Sequence, residues 1–103
     1  MQRHVESAFA AAAHLHVDAK LPEAVHGYRG VLRASPLHSG ALNNLGAALI
    51  TLSRFEEAAV ALRTAARASP SAVDSYLNLG IAHKSRGDHG EAASAYEAAV
   101  RVA

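Results

Sequence analysis

Apolar side chains recur along the middle of the chain at the spacing of amphipathic helices. Leu42, Leu45, Leu49 and Leu52 form one stripe. A second stripe follows a polar break and consists of Phe55, Ala58, Ala59, Leu62, Ala65 and Ala66. Because residues three and four apart share one side of a helix, this segment is predicted to form two helices joined by a short turn near Ser53-Arg54.

The same pattern recurs after 34 residues. The segment Leu42–Ala48 matches Tyr76–Ala82, and Glu57–Ala59 matches Glu91–Ala93, each at a distance of 34 (76 − 42 and 91 − 57). Stepping back by the same interval finds a weaker copy that includes Glu23–Val25. Such a period indicates a repeat architecture. We therefore predict one domain over residues 1–103 that contains three units, 5–38, 39–72 and 73–103.

Turn residues divide each unit into two helices. Pro22 suits the first turn of a helix, where its missing N–H costs no hydrogen bond. Gly87 can adopt the left-handed conformation that ends a helix. Ser35-Pro36 and Ser69-Pro70 are expected to end the second helices of their units.

Two side-chain caps complete the predicted helix ends. Asp88 followed by Glu91 fits a capping box, and Ser71 with Asp74 can cap the first helix of the third unit. With these ends, the sequence predicts six helices of about 12 to 14 residues each.

The composition favours an all-α protein. Half of the residues are hydrophobic but only 5% are aromatic, and alanine, the strongest helix former, makes up about a quarter of the chain. A sandwich or barrel would need more β-branched and aromatic residues. The formal charge of +1 lacks the basic excess of a nucleic-acid-binding protein, and no apolar run approaches the length of a membrane span. We expect neither nucleic acid nor membrane as a partner.

The 34-residue helix–turn–helix period resembles the tetratricopeptide repeat family over nearly the whole chain. Three markers of that family are present: the Leu-Gly pair, the alanine of the second helix and the closing proline. They stand here as Leu45-Gly46, Leu79-Gly80, Ala24, Ala58, Ala92, Pro36 and Pro70. The first unit departs most, because Ala11-Ala12 replaces the Leu-Gly pair.

The resemblance implies a right-handed superhelical solenoid of three helix–turn–helix repeats. Each unit contacts its neighbours, and the first helix of each unit lines a concave face. We also expect the two helices of a unit to approach closely where Gly46 and Gly80 face Ala58 and Ala92.

Candidate chemistry is sparse. The chain has no Cys, and most of its serines stand at predicted caps and turns, so no nucleophile, base and orienting group are expected to meet. His14 and His16 are two residues apart and point to different sides of a helix. His83 and His89 flank a turn without a convincing third ligand, and His83 is expected to pack instead. We predict no enzyme activity, no cofactor and no metal site.

The concave face is the predicted binding site. Its candidate peptide-binding residues are Asn43, Asn44, Ala47, Leu77, Asn78, Ile81 and Lys84. Asn44 and Asn78 occupy equivalent positions and resemble the asparagine ladder of the O-linked N-acetylglucosamine transferase repeats, which implies hydrogen bonds to a peptide backbone. Ala10 interrupts the ladder in the first unit. The alternative is that both asparagines are merely tolerated polar residues.

A second type of groove is not favoured. Chaperone-binding repeat domains hold a C-terminal carboxylate with Lys, Asn, Asn, Lys and Arg at set positions. The corresponding positions here hold Phe9, Ala13, Asn44, Asp74 and Asn78. Because only Asn44 matches and Asp74 carries the opposite charge, the tails of Hsp70 and Hsp90 are not expected ligands.

Together these patterns predict a cytoplasmic protein-interaction scaffold that binds a peptide segment or helix in its groove. Two alternatives stay open: the repeat module of a larger enzyme such as a glycosyltransferase, and a self-assembling structural unit. The last alternative rests on an apolar stripe of the final helix, which a following repeat would normally cover and which predicts a homo-oligomer through the terminal helices. Its residues are Ala93, Tyr96, Val100 and Val102.

Overall fold

Six helices make up the fold over residues 2–103. The computed structural model describes residues 2–103 and the side chains from residue 3; Met1, which the predicted domain includes, lies outside the described residues. The helices are α1 (Gln2–Val17), α2 (Leu21–Ala34), α3 (Ser39–Thr51), α4 (Phe55–Ala68), α5 (Val73–Arg86) and α6 (His89–Val102). Residues 2–103 contain no strand. The prediction of an all-α helical repeat solenoid is confirmed, and α1 exceeds the expected length by two residues (16 against 14).

The helix ends follow the proline and glycine signals. Pro22 lies in the first turn of α2. The helices α2 and α4 end directly before Ser35-Pro36 and Ser69-Pro70. Gly87 ends α5 with φ of 86°. Ala19 and Ser53 stand at the equivalent turns of the first two units, and each adopts a φ of 60°.

Glycine at the first two turns is expected to stabilise the protein. The left-handed conformation costs an L-residue about 1–2 kcal/mol, and part of this gain is offset because glycine is freer in the unfolded chain. Ala19→Gly and Ser53→Gly should each raise the free energy of unfolding by about 0.5–1 kcal/mol in urea titrations. Gly87→Ala, the matched control, should lower it. A loss of stability in both glycine variants would contradict this explanation.

The predicted side-chain caps do not form. Asp88 is the N-cap residue of α6 but makes no capping hydrogen bond; its Oδ2 lies 3.4 Å from Nε of Arg86 instead. The N-cap of α5 is Ala72 rather than Ser71, so that end has no side-chain cap. The cap observed at α3 comes from His38, whose Nδ1 accepts a hydrogen bond from the backbone N–H of Ala41 at 3.0 Å.

The helices pack in pairs, and the three pairs form a curved stack. Within each unit α1 packs on α2, α3 on α4 and α5 on α6; between units α2 packs on α3, and α4 on α5. The first helices also approach one another, α1 with α3 and α3 with α5, whereas no such approach is found between α2, α4 and α6 over residues 2–103. The stack therefore curves toward α1, α3 and α5, which form its concave face. The right-handed sense of the superhelix stays a prediction.

The core combines a few large side chains with many alanines. Tyr28, Val31, Leu49 and Leu62 are its largest fully buried side chains. Most of the remaining core residues are alanines from α3 and the second helix of each unit. Small side chains bring the helix axes close together, and the large ones fill the remaining spaces to the density of a protein interior.

Glycines mark the closest contacts between the two helices of a unit, but their partners differ from those expected. The side chains nearest to Gly46 and Gly80 are Leu62 and Tyr96, not Ala58 and Ala92. A Cβ atom at Gly46 would overlap Leu62. The residue opposite each glycine is thus the large one at the centre of the second helix, because that side chain fills the space above the glycine.

The first unit places its glycine on the other helix. Ala12 stands where the later units have Gly46 and Gly80, and Gly27 stands on α2 directly opposite it. A Cβ atom at Gly27 would lie 2.9 Å from that of Ala12. The missing Leu-Gly pair of this unit is therefore compensated by a glycine in its second helix.

Candidate functional site

The concave face presents one side of α3 and one side of α5. On α5 the side chains of Asp74, Leu77, Ile81 and Lys84 are exposed, at the three- and four-residue steps that define one helix face. On α3 the corresponding residues are half-buried: Asn43, Ala47 and Ile50. The structure therefore brings five of the seven residues predicted to bind a peptide onto one surface: Asn43, Ala47, Leu77, Ile81 and Lys84.

A hydrogen bond between asparagines joins these two helices. Nδ2 of Asn78 donates to Oδ1 of Asn43 at 3.2 Å. This bond does not involve the amide nitrogen of Asn43 or the carbonyl oxygen of Asn78. The concave face therefore keeps one donor group and one acceptor group at this point. Sequence reasoning paired Asn78 with the repeat-equivalent Asn44 and missed Asn43 as its direct partner, because Asn43 is offset by one residue from the 34-residue period.

Asn44 interacts with the buried Tyr28 instead. The Tyr28 hydroxyl lies 2.9 Å from Nδ1 of His16 and shares a hydrogen bond with it. Burial raises the pKa of Tyr28 above its ordinary value, and a hydrogen bond with the Asn44 side chain opposes that rise. A side chain from α2 thus links α1 and α3 at the floor of the concave face.

The α1 end of the concave face is partly filled by aromatic packing. Phe9 lies 4.8 Å from the ring of His38 and 6.1 Å from that of Tyr28, measured between ring centroids. Its ring also covers Gly40 at the start of α3. These contacts tie the first unit to the second, so the open part of the concave face lies on α3 and α5.

That open part is an apolar strip with a charge at each end. Leu77 and Ile81 are each 41% exposed and lie one helical turn apart. Asp74 precedes them and Lys84 follows them along α5. Such a surface can take apolar side chains of a ligand, while the neighbouring asparagines can hydrogen bond with its backbone.

The predicted self-association residues do not all share one face of α6. Ala93 and Val100 are exposed, and Tyr96 is half-buried over Gly80. Val102 is half-buried as well, and at 100° per residue it lies on the side opposite Val100. The exposed face of α6 is lined by Tyr96, Glu97, Val100 and Arg101.

His83 is buried, as expected from its position in the repeat, with 3% of its surface exposed. Its Nδ1 has no hydrogen-bond partner among the described residues and lies 3.8 Å from Oδ2 of Asp88. Its Nε2 lies 3.5 Å from Oε2 of Glu91. The two carboxylates face different ring nitrogens, and over residues 2–103 no three His, Asp or Glu side chains converge as metal ligands.

Exposed ion pairs connect neighbouring units away from the concave face. Glu57 accepts two hydrogen bonds from Arg54, at 2.6 and 2.8 Å, and a third from Arg29 on α2 at 3.0 Å. The Arg54 hydrogen bonds lower the pKa of the Glu57 carboxyl. Only the Arg29–Glu57 pair joins α2 to α4. Because all three side chains are about half exposed, these pairs add little stability.

No helix among the described residues combines the length and apolarity needed to cross a lipid bilayer.

Comparison with known families identifies the repeat. A sequence model of the tetratricopeptide repeat matches residues 12–72 and 48–103. A comparison with curated proteins gives no match.

Solved structures with the same fold are numerous, and three illustrate the range. The second TPR of Spaghetti (RPAP3), bound to the HSP90 peptide SRMEEVD, has a TM-score of 0.92 at 18% identity, covering 96% of this chain and 92% of that one. A chain of the CopN–Scc3 complex has a TM-score of 0.96 at 20% identity, covering 100% and 61%. The type III secretion translocator chaperone SycD of Yersinia enterocolitica, in an alternative dimer, has a TM-score of 0.91 at 15% identity, covering 95% and 74%. At these identities the likeness concerns the fold.

Proposed function

The chain belongs to the tetratricopeptide repeat family, and from this membership we propose that it is a protein-interaction module whose concave face binds an extended peptide or a helix of a partner protein. The single observation that carries the proposal is the open strip on α5, where Leu77 and Ile81 stay 41% exposed beside the Asn43–Asn78 hydrogen bond. Exposed apolar side chains next to amide groups can bind both the side chains and the backbone of a peptide ligand.

The apolar strip and the asparagines beside it have different roles in this proposal. Leu77 and Ile81 receive apolar side chains of the ligand. Asn43 and Asn78 offer one free donor and one free acceptor, the pair that a backbone peptide group needs. Asn44 contributes on its groove side, as in the asparagine ladder that the sequence resembles, while its contact with Tyr28 fixes its orientation.

The fold neighbour bound to the HSP90 peptide does not suggest the same ligand here. Phe9 and Ala13 replace a lysine and an asparagine of the chaperone-type clamp, and Asp74 replaces its second lysine with an acid. An acidic C-terminal peptide would meet Asp74 as a like charge. The proposal therefore favours a ligand whose apolar residues, and not its terminal carboxylate, supply the affinity. No catalysis is assigned to this chain.

A random peptide library displayed on phage tests the proposal. Peptides selected on the wild-type protein should lose binding to the double variant Leu77→Lys, Ile81→Lys, because two charges replace the apolar strip. Val60→Lys is the matched control, since Val60 is 58% exposed but lies in a cleft between α2 and α4. Peptides that bind the double variant unchanged but fail on Val60→Lys would place the site elsewhere.

The same peptides test the asparagines. Replacing both Asn44 and Asn78 by alanine should weaken binding by about 1–3 kcal/mol if each makes backbone hydrogen bonds to the ligand. Unchanged affinity, measured by titration calorimetry on a variant with an unaltered helical spectrum, would show that the asparagines serve packing alone.

A further inference from the structure

The outer face of α6 is a second open surface, separate from the concave face. Tyr96, Glu97, Val100 and Arg101 line a shallow cleft of about 450 Å³ there. Val100, two residues before the end of α6, is 77% exposed, although valine is among the residue types most often buried. We propose that this face binds a second copy of the chain, with the two α6 helices antiparallel about a two-fold axis.

The equivalent positions in the earlier units show that this face is suited to contact another helix. Ala66 and Leu32 hold the equivalent positions, 34 and 68 residues before Val100 (100 − 66 and 100 − 32). Leu32 is half-buried beside Leu42 of the following helix, and Ala66 is 9% exposed. The same position is thus half-buried or buried in the first two units, and on α6 it is exposed.

End-to-end stacking of copies would cover Val100 poorly. The residues of α1 that correspond to Leu42 and Leu45 are Ala8 and Ala11, and both are exposed. Their small side chains bury little apolar surface against valine. Pairing α6 with α6 instead places Val100 and Tyr96 of each copy against the same residues of the other, which is the closed two-fold contact.

The charges on α6 select the antiparallel orientation. Glu97 and Arg101 are four residues apart on the same side of the helix, and no ion pair within 4 Å involves either side chain among the described residues. A two-fold axis at the level of Ala99, midway between them, sets Glu97 opposite Arg101 of the partner subunit, twice. A parallel pairing would set Glu97 opposite its own copy and repel.

Sedimentation velocity of the whole chain tests the proposal directly. The wild type should show a concentration-dependent dimer at high micromolar concentration, because a single helix pair is smaller than a standard interface. Glu97→Arg and Arg101→Glu should each weaken the dimer by about tenfold or more, since each replaces two attractive contacts with two repulsive ones. Arg67→Glu makes the same charge change at the equivalent position of α4 and should leave the dimer intact.

Mixing the two variants separates this pairing from any other. An equimolar mixture of Glu97→Arg and Arg101→Glu should form a heterodimer with wild-type affinity, because every cross-pair is again of opposite charge. The double variant Glu97→Arg, Arg101→Glu should restore the homodimer for the same reason. A monomeric wild type, larger open-ended species, or a mixture that stays monomeric would each overturn the proposal, provided that circular dichroism shows the variants to be folded.

Discussion

Replacing Gly46 with alanine is expected to destabilise the fold by about 3 kcal/mol, near the upper end of overpacking costs. The added Cβ atom would overlap the side chain of Leu62. Leu62 is completely buried, so it has no free space into which it could move. The helices α3 and α4 would have to separate, and with them the α3 side of the concave face. Urea unfolding followed by circular dichroism measures the loss.

Two further glycine variants test whether the contact, and not the glycine as such, is responsible. A Cβ atom at Gly90 meets nothing within 4 Å, so Gly90→Ala should raise the free energy of unfolding by about 0.5–1 kcal/mol through helix propensity. Gly80→Ala should cost less than Gly46→Ala, because its neighbour Tyr96 is only half-buried and can turn aside. Equal losses at Gly46 and Gly90 would refute the overlap explanation.

Truncating Tyr28 to alanine is expected to cost about 3–5 kcal/mol, the usual range for a buried aromatic residue. Its ring is fully buried and packs beside Phe9, so the change leaves a cavity between α1, α2 and α3. The loss is large enough to unfold a marginally stable domain. Thermal and urea denaturation of the two proteins gives the difference.

The hydroxyl of Tyr28 has a smaller, separable effect. Tyr28→Phe keeps the ring but removes the hydrogen bond to Nδ1 of His16, which lies 2.9 Å away. We expect a loss of about 1 kcal/mol. His16→Ala combined with Tyr28→Phe should cost less than the sum of the two single changes, since both remove the same bond. Strict additivity would show that Asn44, and not His16, is the partner through which the hydroxyl adds stability.

Much of the fold follows from the sequence because equivalent residues of a repeat are buried in equivalent contacts. Each 34-residue unit must bury the same stripes against its neighbours, so three registered copies identify six helices and most of the core alanines. Pro22 and the two Ser-Pro pairs act through backbone constraints that hold in any context. The concave face is predicted on other grounds, from the resemblance to the tetratricopeptide repeat family, in which the first helix of each unit lines the groove. Leu77 lies on that helix and is exposed.

Other features depend on distances between side chains of different helices, which the repeat period does not determine. The offset between α3 and α4 along their axes determines which residue faces Gly46. That residue is Leu62 and not Ala58. Asp88 fits a cap by residue type, yet its side chain lies near Arg86 instead. The Asn43–Asn78 bond crosses two helices at unequal repeat positions, so no comparison of equivalent residues could find it.

The exchange of glycine between helices in the first unit also restricts how the chain can fold. If α1 paired with α4, the methyl group of Ala12 would take the place of Gly46 and press against Leu62. Gly46 itself does not discriminate, because α2 carries Tyr28 at the position that Leu62 holds on α4. Repeats with nearly identical sequences are prone to pair with the wrong neighbour. The methyl group of Ala12 penalises the pairing of α1 with α4 and so favours the pairing of α1 with α2.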